Sequence, residues 1–276
     1  MLSAIDRIVQ AALDEDLGTG DLTTLAVVPS HATARAVFVA KAEGVMSGLV
    51  ASRRAFEVLD PRCVFSELLA EGASVSPGTQ LAEVTGPARS ILSGERVALN
   101  FVQRLSGVAT ATARVAALLE GSRTRLLDTR KTTPGMRALE KAAVRAGGGF
   151  NHRIGLFDAV MIKNNHLKFA SPSEAIRRAR ASAPVTATVE VEVEDLEQLR
   201  DALTERPDII MLDNMGVARM REALDIIAGR ARVEVSGNVT AATLPGLLEL
   251  GVDYISMGAL THSSPSLDIS LRVTAD

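Results

Sequence analysis

Residues 187–214 read ATVEVEVEDLEQLRDALTERPDIIMLDN and contain one strand–helix–strand unit. The alternating segment ATVEVEV (187–193) predicts a strand, and the apolar run DIIML (208–212) predicts a second one. Between them the apolar residues have the spacing of an amphipathic helix. Together these segments predict a parallel βαβ unit.

The same pattern recurs on both sides of this unit. Helix-like segments separate the apolar runs, and one begins at Ser171, with Pro172 in its first turn and Glu174 completing a capping box. The repetition favours a parallel α/β barrel, and an open doubly wound sheet is the alternative. The predicted strands are RLLD (125–128), DAVMI (158–162), ATVEVEV, DIIML, RVEVS (232–236) and DYISM (253–257).

The N-terminal part of the chain has a different pattern. Residues 31–44 and 62–86 alternate apolar and polar side chains around glycine turns, which is typical of antiparallel strands. The segment VASRRAFEVL (50–59) between them predicts a helix, so we expect a small α+β domain. A long helical stretch from Pro87 to Gly121 follows, and Gly107 is expected to break it into two helices.

Composition excludes several classes of protein. The chain has 276 residues, 47% of them hydrophobic, and only one cysteine, Cys63, which excludes an internal disulfide and a Cys-based zinc cluster. No apolar run has membrane-spanning length, and the absence of Trp argues against a stacking surface for nucleic acid. We therefore expect a cytoplasmic protein that binds neither a membrane nor a nucleic acid.

Positive charge is concentrated between Arg123 and Arg153. This segment has eight basic residues and two acidic ones, a local charge of +6 on a chain whose formal net charge is −3. Local positive charge on an acidic chain indicates a small anionic ligand. The strongest local signal is AGGGFNHR (146–153), because three consecutive glycines are costly in chain entropy and a ligand-binding role would explain them.

Polar side chains follow each predicted strand, and in a barrel these strand ends meet at the face where active sites lie. Glu192 and Asp213 would offer hard oxygen ligands for Mg²⁺ on neighbouring strands. An alternative is that Glu190 and Glu192, which share strand parity, both face outward from an exposed edge. The candidate cations and donors are Arg130, Lys131, His152, Arg153 and Lys163, and the candidate phosphate-binding loops are Ser236–Asn238 and Gly258.

Motifs spread over nearly the whole chain occur together in one order. They are EDLGTGDLTT (15–24), ERVALNFVQRLSGVATAT (95–112), DTRKTTPGMRALEKAAVRAGGGFNHR (128–153), DAVMIKNNH (158–166), VEVEVEDLEQL (189–199), MLDNM (211–215), SGN and GALTHSSPSLDIS (258–270). In this combination the chain resembles the quinolinate phosphoribosyltransferase family. The resemblance is specific as a set, although no single motif would be.

The resemblance implies a fold and an assembly. The fold is α/β, with a small N-terminal α/β sandwich domain at 1–108, to which the tail 265–276 returns, and an incomplete TIM-like α/β barrel at 109–264. The family works as a homodimer in which the N-terminal domain of one subunit covers the barrel mouth of the other. Whether dimers assemble further into hexamers stays open.

The resemblance also implies an activity. Members transfer the phosphoribosyl group of phosphoribosyl pyrophosphate (PRPP) to quinolinate with decarboxylation, giving nicotinate mononucleotide, pyrophosphate and CO₂. Lys131 and Lys163 would lie between the two substrates. The residues implied for the quinolinate carboxylates are Arg96, reaching across the dimer interface, with Arg130, His152 and Arg153.

For the second substrate, the resemblance implies that Glu192 and Asp213 hold Mg²⁺ and the ribose hydroxyls. His262 would lie near the loops that bind the 5-phosphate. The residues implied for that phosphate, through backbone donors, are Ser236, Gly237, Asn238 and Gly258.

Two other readings remain at this point. One is a related protein encoded with molybdenum transport genes, although the intact MIKNNH and GGGFNHR segments favour the quinolinate enzyme. The other is a barrel that binds a phosphorylated ligand as a sensor without turnover.

Overall fold

The computed structural model describes residues 4–237, 239–240 and 242–275. The chain divides into two compact units. The first comprises Met1–Ala113, Thr132–Gly148 and Leu260–Asp276, and the second Arg114–Lys131 and Gly149–Ala259. The sequence-based ranges 1–108 and 109–264 divide the chain differently and stay a prediction.

The first unit contains a four-stranded antiparallel sheet. Its strands are β1 (Thr33–Ala40), β3 (Val64–Glu67), β5 (Gln80–Pro87) and β12 (Ile269–Ala275), in the order β12–β1–β5–β3; a separate pair is β2 (Gly44–Val45) with β4 (Ser74–Val75). The C-terminal strand β12 pairs with β1, so that Leu271 lies opposite Phe38. The helices of this unit are α1 (Ala4–Leu17), α2 (Leu22–Val27), α3 (Leu49–Leu59), α4 (Ala88–Leu118) up to Ala113, and α5 (Arg137–Ala146).

Aromatic packing fills the core between this sheet and α3. The ring centroids of Phe38 and Phe56 are 6.2 Å apart, and Phe65 stacks on Phe56 at 6.1 Å. Phe38 and Phe56 are completely buried, which accounts for the alternating apolar pattern of β1 and for the amphipathic pattern of α3. The predicted strands and the helix between them are confirmed.

The second unit contains a six-stranded parallel sheet with helices between its strands. The strands are β6 (Arg125–Leu127), β7 (Val160–Ile162), β8 (Val189–Val193), β9 (Ile209–Asp213), β10 (Arg232–Ser236) and β11 (Tyr254–Ser256). The helices are α6 (Pro172–Ser182), α7 (Leu196–Leu203), α8 (Val217–Ile227) and α9 (Leu244–Leu248). All six predicted strands are confirmed.

Strand order distinguishes a barrel from a doubly wound sheet. The order is β6–β11–β10–β9–β8–β7, so each strand from β8 to β11 lies beside its predecessor in one direction, and β11 then pairs with β6. A doubly wound sheet would reverse direction at a switch point. The only interruption of the ring is between β6 and β7 within this described sheet, which gives the expected incomplete barrel.

Helix caps follow the sequence signals. The Ser171 hydroxyl accepts a hydrogen bond from the Glu174 backbone N–H at 3.3 Å, so the predicted N-terminus of α6 is confirmed. The Asp195 carboxylate caps α7 in the same way, accepting from the Gln198 N–H at 2.8 Å. These side chains satisfy backbone donors that the first helical turn leaves unpaired.

The prediction that Gly107 breaks the long helix is wrong. Helix α4 runs without interruption over 31 residues. Gly107 is required for close packing instead, because a Cβ atom at this position would lie 2.0 Å from the carbonyl oxygen of Pro265. Within the described ranges, no helix is both long and apolar enough to cross a membrane.

Replacing Gly107 by alanine therefore tests this close packing. We expect Gly107→Ala to lower the free energy of unfolding by about 2–3 kcal/mol, although alanine is the better helix former, because the overlap must push the 265–266 backbone away. The control is Gly246→Ala in α9, where no described atom lies within 4 Å of the added Cβ and stability should rise slightly. Urea denaturation of both variants measures the difference, and equal effects would contradict the packing role of Gly107.

Candidate active site

A cavity of about 670 Å³ opens at the carboxyl ends of the parallel strands. Residues far apart in sequence meet there because every strand of the sheet runs in the same direction. The predicted site residues that line this cavity are Arg130, Lys131, His152, Arg153, Lys163, Glu192, Asp213, Ser236 and Gly237.

Three of the predicted residues that the structure describes do not line this cavity. Gly258 follows β11 in the second unit. Arg96 lies on α4, and His262 ends the short helix α10 (Ala259–His262); both belong to the first unit. Asn238 lies outside the described residues. The part that these residues play in the site stays a prediction.

A second cavity, of about 690 Å³, lies at the opposite, amino-terminal ends of the strands. Its arginines are exposed and donate largely to neutral acceptors; Arg123, for example, donates to the Gly251 carbonyl oxygen. None of the predicted site residues lines it. The chemistry expected from the sequence is therefore concentrated at the carboxyl-end cavity.

Only part of the basic segment contributes to that cavity. Arg130, Lys131 and Arg153 line it. Arg125 instead lies over the ring of Phe150, 4.9 Å from the ring centroid. The basic residues of α5 belong to the first unit. Three of the eight basic residues of the segment therefore line this cavity, so the local charge of +6 overstates the number of cations at it.

The cationic side of the cavity is formed by Arg130 and Arg153. Burial lowers the pKa of Arg153, and the neighbouring positive charge of Arg130 lowers it further. The Arg153 Nη1 donates to the Ala159 carbonyl at 3.2 Å, while its buried Nε finds no hydrogen-bond partner in the described part of the chain. Two neighbouring guanidinium groups with an unused donor favour a ligand that brings negative charge, such as a carboxylate.

Asp128 holds the loop that carries two of the cavity residues, and the sequence analysis assigned it no role. It is completely buried at the end of β6. One carboxylate oxygen accepts from the Asn151 side-chain amide at 2.6 Å, and the other accepts from the His152 backbone N–H at 2.8 Å. These bonds fix the chain after Phe150, which itself pairs with β6. The sequence signal that could have identified Asp128 is an acidic residue directly after an apolar strand.

The anionic side of the cavity centres on Glu192. This residue is 4% exposed, and Glu190 two positions earlier is 3% exposed, so the exposed-edge interpretation of the VEVEV segment is wrong. The reason is that β8 lies between β7 and β9, with its polar face toward the barrel interior. The Lys163 ammonium donates to Glu192 at 2.7 Å, which compensates part of the cost of burying that carboxylate.

Carboxylates from two strands come together beside this ion pair. One oxygen from each of Glu192, Glu194 and Asp213 can be chosen so that all three lie within 4.8 Å of one another. Burial raises the pKa of Asp213, and the nearby Glu192 charge raises it further. A cluster of hard oxygen donors under mutual repulsion fits a divalent cation such as Mg²⁺. Glu194 adds to the pair that the sequence indicated.

The loop after β10 offers backbone donors beside the cluster. Gly237 has a φ angle of +88°, and a Cβ atom there would lie 2.3 Å from the Asn214 side-chain oxygen. Only glycine fits both the backbone conformation and the space. Such a turn directs backbone N–H groups toward a small anion, as in other phosphate-binding loops.

The barrel interior also contains two glutamates that the sequence analysis did not assign. Glu190 and Glu234 both face the Nε2 atom of His152, at 3.0 and 3.5 Å. Glu234 is completely buried, and burial followed by repulsion from Glu190 raises the pKa of Glu234 to about 8. Barrel interiors usually hold branched apolar residues, so buried acids here indicate function.

Comparisons with known proteins agree with this geometry. Residues 21–106 match the family model described as quinolinate phosphoribosyl transferase, N-terminal domain, and residues 108–272 match the model of its C-terminal domain. The chain is 44% identical to the probable nicotinate-nucleotide pyrophosphorylase [carboxylating] of Bacillus subtilis, over 94% of this chain and 90% of that protein.

Two further relatives extend the comparison. The chloroplastic nicotinate-nucleotide pyrophosphorylase [carboxylating] of Oryza sativa is 41% identical, over 99% of this chain and 78% of that protein. The crystal structure of NadC from Streptococcus pyogenes is 43% identical and superposes with a TM-score of 0.94, covering 100% of this chain and 99% of that one. Because both domain models match in order and these relatives align along almost the entire chain, it belongs to the quinolinate phosphoribosyl transferase family.

Proposed function

We propose that the chain transfers the phosphoribosyl group of PRPP to quinolinate with loss of CO₂, giving nicotinate mononucleotide and pyrophosphate for NAD biosynthesis. The observation that carries the proposal is the division of one cavity into a side with two neighbouring arginines and a side with a carboxylate cluster. The first suits a pyridine dicarboxylate, and the second suits a metal-bound sugar diphosphate. Membership of the family supports the same pairing.

Quinolinate would bind at the arginine side. Arg130 and Arg153 would each take a carboxylate, the unused Nε of Arg153 being available for this. His152 would contribute to the same end of the cavity, and Arg96 of a second subunit would complete it. That last contact requires the homodimer, and hexamers of such dimers are compatible with it.

PRPP would bind at the carboxylate side. Lys131 and Lys163 would lie between the substrates, and Gly237 allows the loop after β10 to approach the 5-phosphate. The remaining residues proposed for that phosphate are Ser236, Asn238, Gly258 and, beside them, His262.

The carboxylate cluster fits Mg²⁺, since its donors are hard oxygens on two adjacent strands. Glu192 and Asp213 would hold the ion, and Glu194 lies close enough to contribute. When bound, Mg²⁺ would neutralise negative charge on the pyrophosphate group. Lys163, already paired with Glu192, would supply further positive charge on the same side of the cavity.

In the proposed reaction, the chain acts by positioning and by charge. The arginines orient the pyridine nitrogen toward the anomeric carbon, the N–C bond forms, and the C–O bond to pyrophosphate breaks with its electron pair leaving on oxygen. Lys131 and Lys163 stabilise that departing charge. The ring nitrogen is then positive, so the adjacent C2–carboxylate bond can break to release CO₂, and a proton takes its place. No enzyme nucleophile is needed.

We further propose that the protein works in the cytoplasm. Cys63 is buried as a free thiol, and burial raises its pKa to about 11, which keeps it protonated and unreactive. A reducing compartment is consistent with that state.

The choice of acceptor tests the proposed activity. Incubation with PRPP, Mg²⁺ and quinolinate should release CO₂ and pyrophosphate in equal amounts, whereas nicotinate should give no product because it has one carboxylate fewer for the arginine side. Labelled CO₂ release and chromatography measure both. Binding of both substrates by calorimetry without any product would instead indicate a sensor.

Lys131 should contribute to transfer directly. We expect Lys131→Ala to lower kcat by about 100-fold or more, since one donor to developing charge is removed. The matched control is Lys168→Ala, an exposed lysine outside the cavity, which should keep the wild-type rate. Steady-state kinetics with varied PRPP provide the measurement, and a near wild-type rate for Lys131→Ala would show that its assignment is wrong.

Glu192 should set the requirement for metal. Glu192→Gln keeps the size of the side chain but removes its charge, so we expect the Mg²⁺ concentration for half-maximal activity to rise by about 10-fold or more. Glu197→Gln, on the exposed surface of α7, is the control and should leave this concentration unchanged. Activity measured across a magnesium titration distinguishes them. Identical titrations for both variants would exclude Glu192 as a ligand.

A further inference from the structure

Glu190 on β8 and Glu234 on β10, the carboxyl pair, both lie in the barrel interior beside one imidazole nitrogen. His152 Nε2 is 3.0 Å from Glu190 and 3.5 Å from Glu234. The two glutamates are 3% and 0% exposed, so bulk water solvates their carboxyl groups poorly. His152 Nε2 therefore lies between two acids, and the Ser256 hydroxyl beside Glu234 is a further donor.

The state of the imidazole follows from its other nitrogen. His152 Nδ1 accepts a hydrogen bond from the Arg153 backbone N–H at 2.7 Å. An accepting nitrogen carries no proton, so the ring proton resides on Nε2, where it points at the carboxyl pair. His152 thus links the buried acids to the backbone of an arginine that lines the cavity.

The proton on Nε2 does not satisfy both glutamates. Glu190, the nearer of the two, accepts the hydrogen bond from this N–H group. Among the described residues, no hydrogen bond of good geometry reaches either oxygen of Glu234, although the Ser256 hydroxyl lies beside this carboxyl group, and Glu190 Oε1 also has no partner. A second buried charge beside Glu190 would be repelled and unsolvated, which favours the neutral acid for Glu234.

The pKa of Glu234 agrees with this geometry. Burial is the largest cause and repulsion by Glu190 on β8 the next, and together they raise that pKa to about 8, despite the opposing effects of His152, the Ser256 hydrogen bond and Lys163. Other titratable groups border the adjoining hollow that Glu234 lines. These are Arg125 on β6, Tyr254 on β11, and Arg153 in the segment after Phe150.

We propose that Glu234 is a positioning residue that must carry a proton for the cavity to accept its dicarboxylate substrate, while Glu190 accepts the hydrogen bond that fixes the ring of His152 and through it the backbone of Arg153. The proposal rests on the proposed function, because it concerns binding of quinolinate at that same site. Loss of the proton would place a second negative charge behind residues that must hold an anion. Quinolinate binding should weaken as a result.

The pH dependence of KM tests this directly. For the wild type, KM for quinolinate should stay constant up to about pH 8 and then rise roughly tenfold per pH unit as Glu234 ionises. Glu234→Gln is a neutral substitute of the same size, so its KM near pH 7 should remain within about threefold of wild type and stay flat to pH 9.5. Glu249→Gln, at an exposed position, is the matched control and should retain the wild-type rise.

A thermal measurement tests the proton without using activity. The unfolded state releases the Glu234 proton near its ordinary pKa of 4.5, whereas the folded state keeps it to about pH 8, so ionisation opposes folding increasingly between those values. Glu234→Gln removes this penalty. Its Tm advantage over the wild type should therefore grow from pH 5 to pH 8 and then level off.

The outcomes separate the two proposals. Wild-type activity with a flat KM up to pH 9.5, or the same rise in Glu234→Gln, would overturn the positioning role and leave the proposed function intact. Absence of quinolinate turnover at every pH would contradict the proposed function itself. A Tm difference that is constant with pH would contradict a proton on Glu234 in either case.

Discussion

The common direction of six parallel strands is the constraint on which the rest of the site depends. Their carboxyl ends meet at one edge of an incomplete barrel, so side chains separated by long stretches of sequence border one cavity. The Asp128 carboxylate, which accepts a hydrogen bond from the His152 backbone N–H, extends this edge by holding the segment after Phe150 against β6. Without that shared direction, Arg153, Lys163 and Asp213 would not line the same cavity.

Buried side chains of like charge distinguish this cavity from an ordinary barrel interior. Arg153 lies beside another arginine, and Asp213 and Glu234 lie beside other acids; burial and repulsion shift the pKa of each toward its neutral form. Such arrangements oppose folding, because buried charges are poorly compensated. Anionic substrates and a divalent cation would relieve them. The destabilised free cavity is thus suited to binding a dicarboxylate and a metal-bound diphosphate together.

The sequence predicted the strands well because their apolar runs were bounded by turns, and it predicted α6 through a local capping signal at Ser171. It failed where the answer depended on distant contacts. Gly107 appeared to be a helix break, but its neighbour is the carbonyl of Pro265, 158 positions away in the chain and not foreseeable from local pattern. Likewise, alternation in VEVEV predicted two faces without saying that the polar one lies inside the barrel. Glu234 was missed for the same reason.

The most direct test of the central claim is a crystal structure with Mg²⁺, PRPP and phthalate, which has two adjacent carboxylates but no ring nitrogen and so cannot react. The account predicts phthalate against Arg130 and Arg153, with the metal-bound diphosphate between Lys163 and the Glu192–Asp213 cluster. Phthalate or PRPP bound at the arginine-lined cavity at the opposite ends of the strands, with the carboxyl-end cavity empty, would contradict it.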